Sequence, residues 1–84
     1  MKISEKEKIE KIIKILEEIA LPGKTIVWNA RECANKRGLR GLKEYLDRCR
    51  KSKKGIEIDE SLEKQGKPSL RSEWPQIESI IENC

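Results

Sequence analysis

The chain has 84 residues, 40% of them charged and 36% hydrophobic, with no Phe and no His, and its 19 Lys/Arg against 15 Asp/Glu leave a net charge of +4. A chain of this length makes one small domain, residues 1–84, whose aliphatic core must be economical; the clustered Ile and Leu exclude the composition of intrinsic disorder. No apolar run approaches the roughly 18 residues of a membrane span, and the opening residues carry no signal-peptide pattern, so a soluble cytoplasmic protein is the expectation.

Ser4 opens an amphipathic helix. Ile9, Ile12, Ile13, Ile15, Leu16, Ile19 and Ala20 gather on one broad arc at helical spacing. Glu7–Lys11 and Glu10–Lys14 stand at the supportive i,i+4 spacing, and Pro22 and Gly23 end the helix. The arc spans about 160°, wider than the usual 100° or so, which predicts a homodimer through Ile12, Ile15 and Ile19. Next, the β-branched run TIVW at 25–28 reads as a short extended piece. Asn29 with Glu32 three residues on has the form of a helix start, giving a helix over about 30–37 with Ala30, Cys33 and Ala34 inside. Gly38 follows where a left-handed cap is needed.

A third helix is expected over about 40–52, its inner arc made by Leu39, Leu42, Leu46 and Cys49 with Tyr45 beside them. Gly55 ends it. Ile56 and Ile58 then alternate around Glu57 like a short strand, able to pair with 25–28. Residues 59–72 read either as a short helix capped by Asp59 and closed by Gly66, which fits slightly better, or as a hairpin arm with GKPS at its tip. Pro75 pre-sets the first turn of a closing helix with Trp74, Ile77, Ile80, Ile81 and Cys84 on one face. The fold class is therefore mainly α, four to five helices with a minor two-stranded β element.

Most catalytic and metal chemistries find no support. The cysteines, Cys33, Cys49 and Cys84, are odd in number and widely spaced, which speaks against a disulfide framework; structural zinc takes four close Cys/His ligands, and there is no His. Cys33 and Cys49 fall on apolar faces and read as buried thiols. PGKT at 22–25 ends like a phosphate-binding loop, but position 18 is Glu where that loop needs glycine. The run 59–70 starts like a calcium loop, yet its sixth residue is Lys64 and its twelfth Leu70, where Gly and a bidentate Glu are required. Glu57 with Asp59 has no third ligand near it in sequence. Without His no Ser–His or Cys–His pair forms. A protein that is not an enzyme and holds no cofactor is the expectation.

Charge is where the sequence is most uneven. Residues 36–54 hold nine cations, Lys36, Arg37, Arg40, Lys43, Arg48, Arg50, Lys51, Lys53 and Lys54, against Glu44 and Asp47, or +7, whereas residues 55–84 hold three against seven, or −4. On the third helix Arg40, Lys43, Arg48 and Lys51 spread opposite the leucines, with Arg50 at the edge. Glu44 can meet Arg40 and Arg48, and Asp47 can meet Lys43 and Lys51, all four residues apart. Cations also favour a helix carboxyl end by a few tenths of a kcal/mol each. Two acids offset two cations, and end-capping does not require the remaining seven. A surface for a polyanion or an acidic protein follows. Trp28 and Trp74 each have a ring able to stack on a base, but their spacing among isoleucines reads as core.

The order helix, strand, helix, turn, basic helix, strand, together with TIVWNARECANKRGL, resembles the winged helix-turn-helix family over about residues 5–72. The resemblance implies that the third helix enters the DNA major groove, with Arg40, Lys43, Glu44 and Arg48 facing bases or phosphates, and that Lys64, Lys67 and Arg71 belong to a hairpin wing touching the backbone. The expected function is DNA or RNA binding without catalysis, as in a transcriptional regulator. The alternative is a small inhibitor or adaptor of phage type whose basic helix docks on an acidic protein surface, such as the nucleic-acid site of an enzyme; a third is sequestration of small anionic nucleotides.

Overall fold

The computed structural model describes residues 4–19 and 25–82, which form four helices: α1 (Glu5–Ile19), α2 (Thr25–Lys51), α3 (Lys53–Lys64) and α4 (Leu70–Glu82). Ala20, Pro22, Gly23, Lys24 and Cys84, on which parts of the sequence reading fell, lie outside the described residues. No helix among those described is long and apolar enough to cross a membrane.

The first helix starts where its sequence implies. Ser4 Oγ accepts the Glu7 N–H at 3.2 Å, satisfying one of the orphan donors of the first turn. Ile12, Ile13 and Leu16 are fully buried, and Ile15 and Ile19 nearly so, because α2 and α4 both pack on this arc. Ile12, Ile15 and Ile19, the residues from which a homodimer was expected, are thus covered by the chain's own helices. Lys8 sits on the same buried side and donates from Nζ to the Ile81 carbonyl at 3.1 Å, tying α1 to the last turn of α4. Glu10 reaches across to Arg31 at 3.7 Å.

The two-stranded β element is overturned: among the described residues there is no strand. Residues 25–28 are the first turn of α2, with Val27 buried and Ile26 packed against the core. β-propensity is a weak preference; here the burial of Ile26 and Val27 with Ala30 and Ala34 along one helical side outweighs it. Asn29 consequently lies inside the helix and does not begin it. Gly38, at φ 72 and ψ −159, divides α2 into limbs 25–37 and 39–51. The Glu5 carboxylate accepts the Leu39 N–H at 3.2 Å at this corner.

Residues 56–58 are helical as well. Ser52 Oγ accepts the Gly55 N–H at 3.0 Å and its carbonyl takes the Ile56 N–H at 2.9 Å, so α3 starts at once after α2. Gly55 belongs to that first turn rather than ending the previous helix: a Cβ there would collide with the Cys49 carbonyl oxygen. Ile56 and Ile58 are partly exposed, at 38% and 40%. The helical reading of 59–64 is right, with Gly66 at φ 70 just beyond its end; the hairpin arm, and with it the winged-helix-like outline, is not formed. Asp59 does not cap α3 but lies buried within it, its Oδ1 accepting the Leu70 N–H at 3.1 Å. Ser69 and Ser72 exchange side chain and backbone bonds at 2.9 and 3.0 Å. Those caps start α4 five residues before Pro75, which sits inside the helix and not at its first turn.

Candidate nucleic-acid interface

The basic region of the sequence is spread over three elements: the end of the first limb of α2, its second limb, and the start of α3. On the second limb Leu42 and Leu46 are fully buried, with Leu39, Tyr45 and Cys49 packed against the core. Helical geometry then turns Arg40, Lys43, Glu44, Asp47, Arg48 and Lys51 outward within an arc of about 140°. The four cations of this group are exposed. Arg37 joins them from across the Gly38 corner, its Nη1 3.2 Å from Glu44 Oε1. Arg37, Glu44, Asp47 and Arg48 line one shallow, open depression.

Pairing within this face differs in detail from the i,i+4 pattern. Glu44 takes Arg40 at 3.7 Å as expected, and Arg37 in place of Arg48. Asp47 takes Lys51 at 3.1 Å as expected, and Arg50 in place of Lys43. The Lys51 ammonium and the Arg50 guanidinium hold the Asp47 carboxyl below its ordinary value. Lys36, Lys43, Arg48, Lys53 and Lys54 are all exposed, and among the described residues none of them is in an ion pair.

Arg50 faces inward. Its guanidinium carbon stands 4.4 Å from the Trp74 ring centroid, its Nε is buried without a hydrogen-bond partner, and Asp47 holds one of its amino groups. The other eight cations face solvent against two carboxylates, a local excess of +6. The acids of the last third do not fold back over them: among the described residues no ion pair joins residues 55–82 to residues 36–54. Glu63 instead takes Arg71 in a two-pronged contact at 2.7 and 3.0 Å, and Arg71 and the Ser69 hydroxyl lower its carboxyl.

Lys53 and Lys54 stand at an informative place. As the tail of a helix they would suit its negative carboxyl end. They are instead the first two residues of α3, two and three residues past the end of α2, where the positive field of one helix end meets the negative field of the other. Lys64, Lys67 and Arg71, read as a wing, are the last residue of α3, the link to α4 and the first turn of α4. They are not brought into a hairpin.

Two features of this region escaped the sequence reading. Trp28, placed in the core, is 65% exposed. Continuing a helical wheel back from Ala30 and Ala34 puts it about 140° away from them, a signal hidden by reading 25–28 as extended. Tyr45 lies between the two limbs, beside Asn29 and Cys49. Burial and the Cys49 thiol push its phenol up to about 12, against an opposing effect of the Asn29 amide. Burial likewise pushes the Cys49 thiol up. Compared with known proteins, the chain matches no protein-family model, no curated protein and no solved structure.

Proposed function

We propose that this protein binds nucleic acid through the exposed basic face of α2 and the start of α3, without catalysis. The observation that supports this reading best is the set of five exposed cations, Lys36, Lys43, Arg48, Lys53 and Lys54, that among the described residues are in no ion pair. A phosphate chain supplies what these groups lack, and releasing its counterions drives such binding. Free thiols at Cys33 and Cys49 fit a reducing, cytoplasmic setting for this role.

Anisotropy titrations of labelled duplex DNA, single-stranded DNA and RNA at about 50 and 200 mM salt test it. Affinity that is micromolar or tighter at the lower salt, and that falls steeply at the higher, is expected if six or more phosphates are contacted. The double variant Lys43→Glu, Arg48→Glu should abolish it while leaving the circular-dichroism spectrum unchanged. Failure of every polymer to bind at low salt would sink the reading and leave the acidic-protein alternative, for which a pull-down from the native host is the next step.

A further inference from the structure

The outer face of the first α2 limb carries something that charge does not explain. Trp28 is 65% exposed, in a molecule with two Trp, one Tyr and no Phe. Its ring is held on a helix whose opposite side is fixed in the core by Val27, Ala30 and Ala34. The charges named around it are net acidic: Arg31 is engaged by Glu10 and Glu17, both at 3.7 Å, and Glu32 lies one turn on from the ring. Phosphate attraction therefore does not account for an indole here. Two turns along, about 12 Å by helix rise, Lys36 is exposed and, among the described residues, in no ion pair. Proteins that hold unpaired strands combine these two elements, an aromatic ring on which a base stacks and cations that meet the phosphates of the same strand.

From this juxtaposition we infer that Trp28 is a stacking platform for an unpaired base, and that the preferred polymer is single-stranded. In a duplex both faces of each base are already stacked, so the indole gains nothing there without unpairing. The inference rests on the nucleic-acid reading and adds a partner form to it. Flexible strands present bases one at a time, and stacking tolerates any sequence; base identity should matter little.

The test compares a 12-nucleotide single strand with the matching duplex for the wild type, Trp28→Ala and Trp28→Phe. Loss of one stacked base corresponds to roughly five- to 150-fold in affinity. Trp28→Ala should lose that for the single strand and nearly nothing for the duplex, and Trp28→Phe should recover much of it. The strand should also quench tryptophan emission of the wild type but not of Trp28→Phe, whose remaining Trp74 is buried under Arg50. Equal single-strand affinity for Trp28→Ala, with charge-dependent binding retained, overturns this inference alone. Absence of binding by any polymer overturns both it and the reading beneath it. The ring's exposure means that the variants should melt with the wild type, which thermal denaturation verifies.

Discussion

Arg48 and Arg50 are two residues apart on one helix and have opposite fates. Arg48 is exposed and, among the described residues, in no ion pair, whereas Arg50 lies 4.4 Å from the Trp74 ring centroid and beside Asp47. A 200° step around the helix separates them, so the same side chain is surface in one place and packing in the other. Arg50→Ala should cost about 0.5–2 kcal/mol of stability through the lost ring contact, with its buried stem adding to that, and should barely alter nucleic-acid affinity. Arg48→Ala should do the reverse: an unchanged melting curve and weaker binding. Chemical denaturation beside a binding titration separates the two. Gly38 makes a different point at the same scale. Its φ of 72 is a region an L side chain enters at a cost of about 1–2 kcal/mol, and an added Cβ would stand 3.3 Å from Glu5 Oε1. Gly38→Ala is thus expected to lower the unfolding free energy by at least that amount, read from urea midpoints.

Among the elements, the joint between α3 and α4 carries the most information. Asp59 takes the Leu70 N–H, yet its carboxyl is raised above the ordinary value of 3.8, because burial opposes its charge more than the Leu70 and Arg71 backbone donors favour it. An acid raised on folding ionises first in the unfolded chain as pH climbs. Its contribution is therefore complete below pH 3.8 and is lost as pH rises through the folded value. Asp59→Asn keeps an oxygen for the Leu70 N–H without a charge to bury, so its melting temperature relative to wild type should move upward as pH rises from 3 to 7. Asp59→Ala loses the acceptor at every pH, at about 0.5–2 kcal/mol for a lost cap. None of this was legible in order of sequence. Asp59 looks like the start of a helix because acids favour amino ends; it caps a helix eleven residues further on. Helical periodicity did reveal α1, the second limb of α2 and the inner face of α4, since many apolar residues vote together there. It failed at 25–28 and 56–58, where β-branched residues outvote a phase too short to count, and what decides is burial against neighbours that sequence does not rank.

Across the whole molecule, opposite charges are segregated by pairing as much as by position. Two acids of the last third, Asp59 and Glu63 on α3, are taken by the Leu70 N–H and Arg71 of α4, and among the described residues no ion pair ties them to the cations of residues 36–54. That segregation was visible in composition as a +7 segment before a −4 segment. Which cations are free was not: it depends on Glu44 reaching back over the Gly38 corner to Arg37, a contact of spatial origin. Glu44 is consequently the brake within the face, occupying Arg37 and Arg40 together. Surface ion pairs of this kind add little stability, so Glu44→Gln should melt close to the wild type. It should nevertheless tighten binding at low salt and steepen the dependence of log affinity on log salt by about one for each cation that gains a phosphate. Lys43→Gln removes a cation that is in no ion pair among the described residues and should flatten that slope by about one. If both substitutions shift the slope in the same direction, the face does not act as a field for phosphates, and Glu44 contributes to the partner's recognition instead of restraining it.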